Sequence, residues 1–204
     1  HSHATNKALF YGTRLFFFIK LNISSYLSPM NFCSNCGSKD LSEIIPKGDN
    51  RPRIVCKNCD QIHYFNPKVV VGCLPIWEDK VLLCKRAIPP CKGKWNVPAG
   101  YLENGETAEE GAMREVWEEA EAKVDLLGVL AIYSLPHVSQ VYIHFLGKLK
   151  NLQFGVGVES LETQLFTEAE IPWKEIAFTS SSFALEKYFA DRKLGKQQAH
   201  IGSL

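Results

Sequence analysis

The chain has 204 residues, 46% hydrophobic and 22% charged, a balance that suits one ordinary globular domain with a small attachment. A formal net charge of +1 gives no bulk attraction to a polyanion, and no apolar run reaches the roughly 20 residues of a membrane span, so no membrane-spanning helix is expected. Seven cysteines, an odd count with no secretory signal, argue against a disulfide scaffold.

Charge is unevenly spread along the chain. Lys7, Arg14, Lys20 and Lys39 all precede the first acidic residue, Asp40. Residues 1–30 are basic, hydroxyl-bearing and acid-free, with a short apolar patch, LFFFI, at 15–19. That composition suits an organelle transit peptide. The competing reading is an upstream translated or vector-derived segment, with Met30 as a start and a cytoplasmic location.

Residues 31–65 hold two cysteine pairs, Cys33-x2-Cys36 and Cys56-x2-Cys59. Each pair places two thiolates on one side of a tight turn, and the four complete a closed tetrahedral shell of the structural Zn2+ type. Four free thiols or a redox pair are the alternatives, but neither pair sits at a strand-to-helix junction. A closed shell leaves no open coordination position, so this metal serves folding. A module this small has too little core to fold without it. Mixed charge and the lack of interleaved aromatics make a nucleic-acid role for the ribbon unexpected.

From residue 66 to about 196 the pattern is that of a mixed α/β domain. Residues 68–77 and 81–86 read as a hairpin. Residues 106–121 read as a helix capped by Thr107, with Ala108, Ala112, Val116 and Ala120 four apart on one face. Strands are expected at 127–135, 140–149 and 161–167, then a closing helix over 181–194 and a tail at 197–204. Strand pairs around one acidic helix and one later helix imply a sheet between helix layers. Cys73, Cys84 and Cys91 are expected to act as small apolar residues.

The acidic helix carries the chemistry. Glu115, Glu118 and Glu119 lie three and four apart, so their carboxylates share a face. Like charges at that spacing cost a few tenths of a kcal/mol per pair, and the helix dipole disfavours anions in its C-terminal half. A solvated acidic helix would set a cation four residues after each glutamate, but only Lys123, after Glu119, does so. Oxygen ligands gathered against those costs point to a hard divalent cation and to phosphate chemistry.

Gly100, Glu106, Arg114, Glu115, Val116, Glu118 and Glu119 match the spacing of the Nudix box, and the chain resembles the Nudix hydrolases. One position departs from it: Glu121 stands where the box has glycine, which leaves the helix exit open to question. The resemblance implies an α/β/α sandwich with a mixed sheet, preceded here by the small four-cysteine zinc ribbon. It also implies cleavage of a nucleoside diphosphate linked to another group, with Mg2+ or Mn2+. Under it, Glu115 and Glu119 are the principal metal ligands, and Glu118 shares the metal or takes the proton of the attacking water. Arg114 and Glu106 form a supporting ion pair, the Gly100 carbonyl adds a ligand, and Glu159, with Glu162 second, is the candidate for a further ligand from a later loop.

For the substrate, NFCSNCGS, the flank VGCLPIWEDKVLLCKRAIPPCKGKWNVPAGYLENGET, PHVSQVYIHFLGKL and ESLETQLFTEAEIPWKEIAF resemble the branch that includes a plastid FAD pyrophosphatase, in which ADP-ribose is also accepted. A plastid destination would agree with the acid-free N-terminus. The NADH pyrophosphatases are the alternative, but their Ser-Gln-Pro-Trp-Pro-Phe run has no counterpart in SLPHVSQVYIHFLG. A non-catalytic nucleotide- or nucleic-acid-binding protein is the other alternative, which the intact acidic positions disfavour. A dinucleotide needs a flat ring surface and phosphate donors. Tyr101 and Trp95, with Tyr133 and Phe145 behind them, are the ring candidates, and Arg86 and Lys94 the phosphate candidates. The family is often dimeric, so a homodimer is a further expectation.

Overall fold

The computed structural model describes residues 30–204, so the segment expected to be a transit peptide lies, apart from Met30, outside the described residues. In the ribbon, β1 (Leu41–Ile44), β2 (Arg53–Cys56) and β3 (Ile62–His63) form an antiparallel sheet in that order. Each cysteine pair sits in a tight turn: Gly37 N–H donates to Cys33 O, and Asp60 N–H donates to Cys56 O. Both turns close through a left-handed residue, Gly37 at φ 73° and Asp60 at φ 55°. Glycine takes that conformation freely and a short polar side chain tolerates it.

The main sheet is built from β4 (Lys68–Trp77), β5 (Lys80–Arg86), β8 (Val124–Leu135), β9 (Gln140–Leu149), β10 (Ser160–Phe166) and β11 (His200–Ser203). Two short strands, β6 (Trp95–Asn96) and β7 (Ala99–Tyr101), pair with β5 and β4. The order is β10-β5-β4-β9-β8-β11, with β4–β9 and β8–β11 parallel and the other pairs antiparallel. β4 is central and buried over most of its length, which is why it reads as an almost continuous apolar run.

Helix α1 (Ala108–Ala120) covers one face and α2 (Thr179–Lys193) belongs to the core of the other. Strand alternation divides the side chains between the two. Val71, Cys73, Leu82, Cys84 and Phe145 pack with Ala112, Val116 and Ala120 of α1. Leu74, Val81, Leu83 and Leu146 pack with Ala184, Leu185, Tyr188 and Phe189 of α2. The molecule is therefore an α/β/α sandwich with a mixed sheet, as the sequence implied. Cys73 and Cys84 are buried in this core, whereas Cys91 is exposed in the β5–β6 loop and does not pack as an apolar residue.

Helix α1 starts two residues later than its sequence pattern suggests. Thr107 caps it through a reciprocal box: Glu110 N–H donates to Thr107 Oγ1 at 3.2 Å, and Thr107 N–H donates to the Glu110 carboxylate at 2.8 Å. Glu106 is thereby left in the preceding loop. The stretch read as a tail, 197–204, contains β11, which runs parallel to β8 at the sheet edge. A part-buried hydrogen bond between His200 Nε2 and the Asp191 carboxylate, at 2.9 Å, ties it to α2. Gly202 lets it pass close beneath the Phe183 and Tyr133 rings, where a Cβ would collide. Among the described residues no helix is long and apolar enough to cross a membrane.

Candidate functional site

The acidic face of α1 meets β7 and the β9–β10 connection. Val71 and Gly72 of β4 hold β7 in register, which fixes Gly100 against the helix. Gly100 leaves room for the Glu115 carboxylate, which a Cβ there would displace from its contact with Arg114. Glu115 and Glu119 are almost fully buried, at 8% and 5% exposure, while Glu118 stands about half exposed at the mouth. Ala99 N–H donates to Glu119 Oε1 at 3.1 Å. Glu121, Glu159, Trp117, Gly157 and Val158 complete the walls of a cleft of about 360 Å3 around these carboxylates.

Arg114 is the hub of the site. It donates to both oxygens of Glu106 (2.7 and 3.0 Å), to Glu115 (2.7 Å), to Glu118 (3.0 Å) and to the Tyr101 carbonyl (3.1 Å). The two-pronged contact fixes the loop before the helix against the helix itself. It holds the Glu106 carboxyl down at about 2, mainly through the Arg114 hydrogen bonds. Burial acts in the opposite direction on the other carboxylates. It raises Glu115 above the usual range and pushes Glu119 up to about 8, helped by the charges of neighbouring acids.

Buried carboxylates with one cation among them are costly in a low-dielectric pocket. The donors are all hard oxygens, and Gly100 leaves the Glu115 carboxylate room directly against the backbone of β7. Both features fit a divalent cation of the Mg2+ or Mn2+ class.

The substrate-facing expectations fare unevenly. Tyr101 is half exposed, accepts a hydrogen bond on its hydroxyl from Gln140 Nε2 (3.0 Å), and has Lys68 Nζ 5.1 Å from its ring centroid. Trp95 does not face the cleft. It is buried, packs edge-on to Phe166 at 4.8 Å, and belongs to the α2-side core, because its strand pairs with β5. Tyr133 and Phe145 are likewise core. Arg86 is buried with its guanidinium over Phe178 (5.0 Å) and its Nε donating to Pro90 O (2.8 Å), so it braces the β5–β6 loop. Its charge still reaches Glu119 and opposes that residue's upward shift. Lys94 is partly exposed in the same loop, its N–H donating to Cys91 O and its carbonyl accepting from Arg86 N–H. Glu162 pairs with Lys85 at 3.2 Å, while Glu159 lines the cleft.

Sequence reasoning passed over Tyr142 and Trp117. Tyr142 donates to Gln140, so Tyr101, Gln140 and Tyr142 form one chain of hydrogen bonds. Trp117 occupies an unconstrained place in the motif, and only its half-exposed position at the cleft marks it.

In the ribbon, the four cysteine sulfurs lie within 4.8 Å of one another. Cys33–Cys59 and Cys36–Cys56 are separated by 3.7 and 3.6 Å, close to the ~3.8 Å edge of a tetrahedron with ~2.3 Å metal–sulfur bonds. Hydrogen bonds, first from the Ser38 backbone and then from Asn58, lower the Cys36 thiol to about 6, whereas burial pushes its neighbour Cys56 up to about 11, so the shell favours four thiolates only with a cation among them. The residues present fit structural Zn2+.

A NUDIX-domain family model matches residues 66–185. The chain belongs to the Nudix family. A second model, described as Nudix N-terminal and of the zinc-ribbon type, matches residues 31–65. The solved Nudix hydrolase of Nitrosomonas europaea is 52% identical, with a TM-score of 0.82, covering 86% of this chain and 99% of that one. Among curated relatives, an ADP-ribose pyrophosphatase of Methanocaldococcus jannaschii is 38% identical over 73 residues, 36% of this chain and 43% of its own length. The NAD-capped RNA hydrolase NudC of Photobacterium profundum is 28% identical over 154 residues, 74% of this chain and 54% of its own. The Nudix chain thus spans about half the length of these curated relatives.

Proposed function

We propose that this Nudix protein hydrolyses the diphosphate bond of a dinucleotide, FAD first, to FMN and AMP, and that it also accepts ADP-ribose. The observation that carries the reaction class is the gathering of Glu115, Glu118 and Glu119 around one cleft, with Glu115 against Gly100 and Arg114 joining Glu106 to the same cluster. FAD is favoured by the flanks of the motif that resemble the plastid branch, and ADP-ribose also by the name of a relative.

Glu115, Glu118 and Glu119 would hold Mg2+ or Mn2+, with the Gly100 carbonyl and Glu159 as further ligands. A cation held there would supply charge neutralisation for the diphosphate and acidification of the attacking water. Arg114 and Glu106 hold the ligand-bearing turn against the β7–α1 loop. Water attacks one phosphorus, the bridging P–O bond breaks, and the other phosphate leaves. Glu118, the most exposed of the three box carboxylates, would share the cation or take the proton of the water. Tyr101 offers its open ring to the substrate and Lys94 its charge. The plastid destination remains part of this reading.

Incubation with FAD, ADP-ribose and NADH in turn, with Mg2+, tests it. FMN and AMP from FAD at the highest kcat/KM support the reading. Preference for NADH would replace it with the NADH pyrophosphatase alternative, and no turnover of any of the three would leave a binding protein.

A further inference from the structure

Glu159 sits on a ten-residue connection, 150–159, that forms neither helix nor strand, yet it faces a cleft of like charge. A free loop would swing its carboxylate away from Glu115 and Glu119. Five hydrogen bonds prevent this. Gly155 N–H donates to Ala120 O at 2.7 Å, and Gly157 N–H donates to Glu119 O at 3.1 Å. Ala87 N–H donates to Glu159 O at 2.7 Å, Ser160 N–H to Gly157 O at 3.0 Å, and Thr163 Oγ1–H to Gly155 O at 2.7 Å.

The two carbonyls of α1 used here are among those that the end of a helix leaves without partners. The loop is therefore docked on the turn that carries Glu118 and Glu119. Both contact residues are glycines, though neither has a positive φ. The reason is proximity. A Cβ on Gly155 would meet the Glu121 carboxylate, the movable end of a side chain. A Cβ on Gly157 would overlap the Glu118 carbonyl oxygen, which is helix backbone and has nowhere to go.

We propose that Gly157 is a positioning residue: its bare backbone lets the 154–159 loop seat on the last turn of α1, and this seating aims Glu159 at the cation held by Glu115 and Glu119. The proposal rests on the reading of Glu159 as a metal ligand, and it assigns the precision of that ligand to a contact two residues away.

The test measures Mn2+ affinity by electron paramagnetic resonance, alongside kcat and KM for FAD, in Gly157→Ala, Glu159→Gln and the double variant. Each single variant should raise the Mn2+ Kd by about 10-fold, the scale of lost ligand support, and lower kcat with KM nearly unchanged. The double variant should be no worse than either single one, because both remove the same interaction. Multiplying losses in the double variant, or wild-type Mn2+ affinity in Gly157→Ala, would overturn the proposal. A silent Glu159→Gln would overturn it too, while leaving FAD cleavage by the wild type untouched. Thr163→Val, which removes only the hydrogen bond to Gly155 O, covers the case in which Gly157→Ala does not fold. It should raise the Mn2+ Kd in the same direction, and an unchanged Kd counts against the proposal.

Discussion

Arg114 and Glu106, eight residues apart in the chain, meet through two parallel hydrogen bonds of 2.7 and 3.0 Å. The remaining guanidinium nitrogen reaches Glu115 and Glu118, so one side chain links the entry loop to two carboxylates of the cleft. Lysine offers a point charge and cannot bridge both sides of this arrangement. Arg114→Lys should lower kcat by about 10- to 100-fold, as lost support of metal ligands does, with a smaller change in KM. Steady-state kinetics on FAD check it. The pair also has a defined pH sign. Glu106 is depressed to about 2, so its contribution to stability is complete above the ordinary carboxylate range and is lost as pH falls towards 2.

Glu119 separates stability from function. Burial pushes its carboxyl up to about 8, so the charged form is unwelcome in the metal-free fold. Glu119→Gln keeps the shape and removes the charge. Its melting temperature in EDTA should equal or exceed that of the wild type, while FAD turnover falls by at least about 100-fold, the cost of losing a group that stabilises transition-state charge. A thermal melt and an FMN-release assay on the same preparation decide it.

His144 gives a second pH signature. It is fully enclosed in β9, with neither ring nitrogen hydrogen-bonded, and burial lowers its pKa from 6.5 to about 4. The unfolded chain therefore binds the extra proton between those values. This contribution is full above pH 6.5 and shrinks as pH falls towards 4. The loss between pH 7 and pH 5 is about 2 kcal/mol by linkage. Urea titrations at the two pH values should show it, and His144→Leu should flatten the difference.

The ribbon should carry one zinc per chain. Cys33→Ser removes a sulfur that lies 3.7 Å from Cys59 and opens the shell. Elemental analysis should find zinc in the wild type and little in the variant. Amide exchange across Leu41–His63 should rise to the level of an unfolded segment, since so small a sheet has no other source of stability.

Glu121 occupies the left-handed region, φ 49° and ψ 27°, where the family pattern has glycine. It ends α1 at Ala120 all the same, with its own N–H bonded to Trp117 O at 2.8 Å. A side chain there costs about 1 kcal/mol. Glu121→Gly should raise stability by up to that amount, less what the Glu121 contact over Gly155 contributes, and a chemical denaturation series measures the net.

The motif was legible because its information is local. Residues three and four apart on α1 specify a shared face, and the structure places Glu115, Glu118 and Glu119 on it. The zinc shell was legible for the same reason. Trp95 was not, because nothing local shows that Trp95–Asn96 pairs with β5 and turns the ring into the core. Nor was β11, whose four residues acquire strand character from β8, some 70 positions earlier. The contacts of Arg86 were not legible either, because its partners, Pro90 and Phe178, are joined to it only by the folded β5–β6 loop and the start of α2.

The position of β11 has a consequence during synthesis. Until His200–Ser203 leave the ribosome, the outer edge of β8 offers unpaired amides and carbonyls beside the exposed Leu127. The chain finished to α2 already holds the carboxylates of the α1 cleft, but it lacks the strand that closes this side of the sheet. Nascent or truncated molecules that stop short of residue 200 should associate through β8 long before they lose the capacity to bind metal.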